Sequence, residues 1–364
     1  MTLTPLFKII EAESADCAYF KKRNLIACFN HSGSKVWIRS SVTGEIIDTI
    51  KTVFSRSHKH FNLHEDYLII EDENEHLLYD MDTKEITSLG QDCYPNPLYL
   101  DDYLSFDYYD MENGSSELCF FDTKSKKISK YCYNSGVTLP PQTGGKYFLK
   151  VFNEKENRYP EFVKILISND GEVSATETEV RCPKSIEDTL SCHFALGQED
   201  YIYFEGVEDG KISLSLLNYQ NELLKIIEIV GSNVPDPETL YIGHTKLFYR
   251  EVGGRKLLLL KLSDGKLDYY RFIDITSGEL VWSYESSWGN EPHSSSHLAI
   301  VVAANEKREI EGYYLLSFRT AEVEYFPQGQ PDLDLLQVAA LNKETIVLFD
   351  MESGAYVGYD VEYD

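Results

Sequence analysis

The chain has 364 residues, 43% of them hydrophobic and 13% aromatic, with 26 Tyr against 3 Trp. That is enough apolar material for a sizeable core and excludes a disordered chain. The 60 acidic residues outnumber 34 basic ones for a formal charge of −26, which repels phosphate backbones and anionic head groups, so neither a nucleic-acid nor a membrane partner is expected.

The N-terminus, Met1-Thr2-Leu3-Thr4-Pro5, reaches Glu11 without a basic region or a sustained apolar run, and predicts no secretory leader. No apolar run approaches the length that spans a bilayer. The cysteines Cys17, Cys28, Cys93, Cys119, Cys132, Cys182 and Cys192 show no metal-type or redox-type spacing. Cys28, inside Leu25-Ile26-Ala27-Cys28-Phe29, and Cys119, inside Leu118-Cys119-Phe120-Phe121, read as small buried hydrophobes in a reducing compartment. A cytoplasmic location is the expectation.

Helical periodicity is nearly absent. Short alternating runs instead recur between Gly, Asn, Asp and Ser-rich turns, which is the strand and hairpin signal. One unit returns: an apolar pair, an Asp, a polar turn and a new strand. It is seen at Leu78-Tyr79-Asp80-Met81-Asp82-Thr83-Lys84, at Phe120-Phe121-Asp122-Thr123-Lys124 and at Phe272-Ile273-Asp274-Ile275-Thr276-Ser277-Gly278, with a looser copy at Trp37–Ile46. The carboxylate can bond the turn backbone, and the Gly or Lys sits where φ > 0 is often needed. A second hairpin, Tyr108–Gly114, is echoed by Leu348–Gly354, with shorter versions at Glu208-Asp209-Gly210 and Gly253-Gly254. Turns fall near Thr43, Thr83, Lys124, Asn169, Tyr219, Ser277 and Thr320, a spacing mostly of about 40 to 50 residues that matches a propeller blade.

In chain order, blades are expected at Cys17–Ile50, Phe61–Leu89, Leu98–Cys132, Lys146–Val180, His193–Val230, Leu240–Tyr284 and His297–Phe326. The sixth reads as five strands. The tail, Leu335–Asp364, supplies three strands, and a spare N-terminal strand, Leu6–Ile10, completes it, because a closed ring removes unpaired edges. The expectation is one all-β propeller domain over residues 1–364, with antiparallel four-stranded blades, eight preferred and seven possible.

These hairpins resemble those of the WD-repeat and quinoprotein-like propellers, most clearly over Tyr19–Ala27 and Lys35–Ile38. The Gly-His and Trp-Asp dipeptides of the first group and the repeated Trp pattern of the second are missing. The resemblance therefore implies an architecture and no particular activity.

His58, His60 and His64 share one face if they lie on a strand, and three imidazoles could ligate zinc. A polar loop entering a strand fits the same residues, since metal ligands usually converge from separate elements. His293 and His297 flank Ser294-Ser295-Ser296, but no Gly-x-Ser-x-Gly elbow accompanies them. Calcium-loop spacing and glycine-rich phosphate loops are absent, and no cofactor is implied. Ser286–Ser296 reads as a long loop near Trp282 and Trp288. Long loops on rigid scaffolds carry function, and exposed Tyr and Trp make interface anchors. Trp282, Tyr284, Trp288, Asn290, Glu291 and His293 are therefore the candidate contact residues. The expected role is a non-enzymatic scaffold or inhibitor, a monomer, for a basic protein partner. The alternative is an enzyme acting on a glycan or small molecule in a central channel, with convergent carboxylates or histidines there.

Overall fold

The structure is a computed structural model that describes residues 1–9, 17–29, 35–51, 61–64, 66–71, 76–90, 93–100, 103–110, 115–134, 147–150, 161–167, 173–179, 194–230, 235–241, 244–287, 291–305, 307, 309–327, 336–341, 344–350 and 353–363. Among them there is no α-helix, and the strands form eight antiparallel sheets.

The chain opens with β1 (Thr2–Ile9). The first sheet is then β2 (Cys17–Phe20), β3 (Leu25–Phe29), β4 (Lys35–Ser40) and β5 (Ile46–Lys51). The second is β6 (Phe61–His64), β7 (Tyr67–Glu71), β8 (His76–Asp80) and β9 (Ile86–Gly90). The third is β10 (Cys93–Leu100), β11 (Tyr103–Asp110), β12 (Ser115–Asp122) and β13 (Ile128–Asn134). The fourth shows β14 (Tyr147–Lys150), β15 (Glu161–Ile167) and β16 (Val173–Glu179). The fifth is β17 (Phe194–Leu196), β18 (Asp200–Glu208), β19 (Lys211–Asn218) and β20 (Leu223–Val230). The sixth is β21 (Lys246–Val252), β22 (Arg255–Ser263), β23 (Asp268–Asp274) and β24 (Glu279–Ser286). The seventh is β25 (His293–Ser294), β26 (Leu298–Ala304), β27 (Ile310–Ser317) and β28 (Val323–Pro327). The eighth joins β29 (Leu336–Leu341), β30 (Thr345–Asp350) and β31 (Ala355–Glu362) to β1, in the order β1-β31-β30-β29.

Sheets pack face to face through alternate side chains. In β22, Leu258, Leu260 and Leu262 join Ile202, Leu214 and Ile227 of the fifth sheet, while Leu257 and Leu259 join Ala299, Val301 and Phe318 of the seventh. Burial on both faces explains the unbroken leucine run, which period-two alternation alone would not predict. The first strands of successive sheets adjoin one another: β29 with β2, β2 with β6, β6 with β10, β17 with β21, and β25 with β29.

The recurrent turn has one mechanism. Asp80 Oδ1 accepts the N–H groups of Asp82 and Thr83 at 2.8 and 3.0 Å. Asp122 does the same for Lys124 and Ser125, and Asp274 for Thr276 and Ser277. Ser40, Asn218 and Ser317 fill the same position with shorter or neutral side chains. These side chains cap turn donors that a strand ladder cannot reach. The turn then passes through positive φ, at Lys84 (61°), Lys126 (58°) and Gly278 (83°).

At the chain ends, β1 pairs with β31 from Thr2↔Glu362 to Ile9↔Tyr356, with a bulge between Pro5 and Phe7. Gly358 leaves room for the Phe7 ring, which a Cβ there would strike.

Several boundaries differ from expectation. The sixth sheet has four strands rather than five: Leu240 follows a 3-10 turn, Pro237–Thr239, capped by Asp236. Gly253-Gly254 joins the first two strands of that sheet, not its middle pair. The third sheet begins at Cys93 and the seventh at His293, so β25 interrupts the loop expected over Ser286–Ser296. Asn169 lies outside the described residues.

Candidate functional site

The seam between the sixth and seventh sheets gathers an aromatic row. In β24, Trp282 and Tyr284 point the same way because strand residues two apart share a face, and their rings stack at 6.0 Å and 19°. Tyr270 of β23 stacks behind Tyr284 at 6.3 Å and 23°. From the next sheet, the Tyr314 ring approaches Trp282 at 4.9 Å and Tyr284 at 4.8 Å. Tyr325, cross-strand partner of Tyr314, continues the row at 4.8 Å. Such offset and tilted pairs suit the ring quadrupoles. Gly312 makes room for the last ring: a Cβ there would lie 2.8 Å from the Tyr325 hydroxyl and collide with the Phe326 carbonyl.

The polar edges of the row are of two kinds. Tyr284 is used up by the fold: its hydroxyl donates to the Ala304 carbonyl at 3.2 Å and accepts the Ala304 N–H at 3.1 Å. The Tyr325 hydroxyl donates to the Glu311 carbonyl at 2.9 Å. Trp282 Nε1 and the Tyr314 hydroxyl, both on half-buried rings, make no hydrogen bond among the described residues. Burial, then the neighbouring tyrosines and Glu311, raise the Tyr314 hydroxyl above its ordinary pKa, and burial and Glu311 do the same for Tyr325. Both remain protonated donors at neutral pH.

The seam beneath is rigidly tied. Arg250 of β21 donates from Nε to the Ser295 carbonyl at 3.0 Å and from a terminal nitrogen to Ser294 Oγ at 3.4 Å. Lys261 and Asp268 form an ion pair at 3.2 Å, both buried. Burial of this kind demands the partner, since one charge alone would be very costly.

Of the candidate contact residues, the structure brings Trp282 and Tyr284 together, on a strand rather than in the loop. Glu291 is exposed and ion-paired with Lys246 at 3.2 Å. His293 sits in β25, among the first strands, away from β24 at the far edge of its sheet. Its ring has exposed surface, yet the protein crowded around it depresses its pKa, favouring the neutral imidazole. Trp288 and Asn290 lie outside the described residues, as do His58 and His60; His64 closes β6, and only its backbone is described. Among the described residues no three His, Cys, Asp or Glu side chains converge as a metal centre would require. Ser296 Oγ and His297 Nδ1 are 2.8 Å apart, but they are chain neighbours in a turn whose donors Ser295 Oγ caps. Tyr314 and Tyr325 were not among the sequence candidates. Their only local sign is a tyrosine on each of two strands whose pairing the sequence does not state.

No protein-family model matches the sequence, and no curated protein matches it. Among solved structures, the chain is similar to the dihydro-heme d1 dehydrogenase NirN in complex with DHE, at a TM-score of 0.50 and 11% identity over 97% of this chain and 78% of that one. The N-terminal domain of Nup159 aligns at 0.42 and 9% identity, covering 98% and 95%, and the Dos1 propeller at 0.39 and 8%, covering 100% and 96%. The chain has a β-propeller fold, all-β, with several four-stranded antiparallel sheets and, among the described residues, one of three strands. At such identity the likeness to NirN speaks for the fold alone.

Proposed function

We propose that the chain is a ring of eight blades, closed by β1, that serves as a non-enzymatic binding scaffold or inhibitor for a basic protein partner. The succession of adjoining first strands and the pairing of β1 with β31 support the ring. The observation that carries the functional reading is the aromatic row, open to solvent at Tyr325 (39% exposed), on a protein of net charge −26. Aromatic anchors in a polar surround make good contact sites, and an anionic field steers a basic partner to them. The enzymatic alternative has thinner support. The adjoining first strands, β2, β6, β10, β17, β21, β25 and β29, carry a single carboxylate among them, Glu251, with His64 and His293 as the only imidazoles. Cys17, Cys28 and Cys119 are buried as small apolar side chains, which suits a reducing, cytoplasmic setting.

Affinity capture from native extract at low and high salt tests the reading, with Trp282→Ala in parallel. A partner held at low salt, released at high salt and lost by the variant supports it. Partners indifferent to both salt and the variant would count against it.

A further inference from the structure

We infer that the aromatic row of the sixth–seventh seam binds an extended, proline-rich segment of a protein partner, with a basic residue of that segment beside Glu311. The inference rests on the binding-scaffold reading above and specifies its ligand chemistry. Three features of the row carry it.

First, the rings follow one another from half-buried Trp282 and Tyr314 to exposed Tyr325. From Trp282 through Tyr314 to Tyr325 the steps are 4.9 and 4.8 Å. A polyproline II helix advances about 9 Å per turn of three residues, so two successive steps suit prolines on one face of one turn. Aromatic-lined grooves take such helices because the segment is already extended and loses little entropy on binding.

Second, the row offers donors of the right kind. A polyproline II segment has no internal hydrogen bonds, so its carbonyls need partners from outside. An indole N–H can only donate, and Trp282 Nε1 and the Tyr314 hydroxyl are the two edge groups that the fold leaves without a protein partner among the described residues. The hydroxyls of Tyr284 and Tyr325, by contrast, are spent on the Ala304 and Glu311 backbone. Burial of rings alone would not require this division.

Third, Glu311 is exposed at the Tyr325 end of the row and acts electrostatically on both Tyr314 and Tyr325. A carboxylate at one end of an aromatic row favours a guanidinium or ammonium there and so fixes the direction of the segment.

The test uses the full chain and two labelled peptides of equal length and charge, both ending in arginine: one rich in proline, the other with Gly and Ser in place of each proline. Binding is followed by fluorescence anisotropy at low and physiological salt. The proline-rich peptide is expected to bind about tenfold tighter. Trp282→Ala should remove that advantage, and Tyr314→Phe, which keeps the ring and removes only the donor, should weaken binding about fivefold. Trp282→Phe guards against misfolding of the alanine variant, since it retains a ring but no N–H. Equal binding of the two peptides would overturn this inference while leaving a basic partner in place. Proline-dependent binding that ignores Trp282 and Tyr314 would overturn the assigned site. No binding of either peptide at low salt would sink both this inference and the scaffold reading.

Discussion

Asp80 receives the Lys126 ammonium at 2.7 Å, and so links the turn of the second sheet to the equivalent turn of the third. The pattern repeats at other seams. Arg23 bridges to Asp66 at 2.7 Å and Asp82 at 2.6 Å, Lys21 to Asp360 at 2.6 Å, and Arg319 to Glu344 at 2.8 Å. With 34 basic residues against 60 acidic ones, each of these cations reaches a carboxylate of a neighbouring sheet, and Arg23 reaches two. Burial alone would raise the Asp80 pKa. The Lys126 ammonium and the N–H groups of Thr83 and Asp82 outweigh it and hold the carboxyl below its usual range.

Asp80→Ala is therefore expected to remove both the turn cap and the inter-sheet link. Losing a cap costs about 1 kcal/mol. The link to Lys126 adds less than the cap, since the ammonium stays solvated. Asp274→Ala removes the same cap at Thr276 and Ser277, where among the described residues no ammonium pairs with the carboxylate. Urea midpoints should show Asp80→Ala as the more destabilised variant. A Lys126→Met cycle should recover the difference; equal costs for the two alanines would mean that the link contributes nothing.

Acid should weaken the protein through the same groups. Asp48, Asp80, Asp122 and Asp264 all have depressed pKa values in the fold, Asp48 chiefly through the Tyr79 hydroxyl. A depressed carboxylate contributes stability that is fully present above its unfolded value, about 3.9, and is lost as pH falls through the lower folded value. Urea midpoints are expected to hold steady from neutral pH to about 5 and to fall below about 4. Relief of the −26 charge acts the other way, so a net fall reports the loss of these interactions and a net rise would mean that they contribute less than the charge relief.

Removal of residues 1–9 would strip β1 from β31 and leave that edge unpaired. Exposed edges invite pairing with other chains. The truncated protein is expected to unfold at lower temperature and to self-associate more strongly with concentration than the full chain in sedimentation velocity. Gly358→Ala, which forces the Phe7 ring away, should shift stability in the same direction without deleting any residue. A truncated chain as stable and as monodisperse as the parent would show that β1 does not hold the eighth sheet together.

The turns were legible in the sequence because their chemistry is local. The bonds of Asp80, Asp122 and Asp274 reach residues two and three further along, so a short stretch contains the whole unit. Ser40 and Ser317 perform the same task, and the alignment of apolar pairs around them keeps the repeat visible. The strand count of the sixth sheet was misread because Leu240 is apolar yet follows a proline-led 3-10 turn. The aromatic row was only half visible. Trp282 and Tyr284 are two residues apart and announce a shared face, but Tyr314 and Tyr325 meet them through a sheet-to-sheet packing that no spacing encodes.

The seam between the fifth and sixth sheets provides a sharper energetic test. Asp200 is 2% exposed and accepts the Tyr249 hydroxyl at 2.7 Å and the Lys256 ammonium at 2.5 Å. Burial, followed by the Asp200 charge, pushes the Tyr249 hydroxyl far above its ordinary pKa, so it stays protonated and donates to Asp200. Tyr249→Phe removes that donor while leaving Asp200 paired with Lys256, at an expected cost of about 1 kcal/mol. Asp200→Ala removes the acceptor of the buried Tyr249 hydroxyl and leaves the Lys256 ammonium with Glu251 at 3.9 Å, at an expected cost of about 3 kcal/mol. Asp200→Asn should fall between them, because its amide oxygen still accepts from Tyr249 but cannot neutralise Lys256. Urea midpoints for the three variants read the order directly. If Asp200→Ala proved no worse than Tyr249→Phe, water would have to be solvating Lys256, and the ammonium would lie outside the buried network.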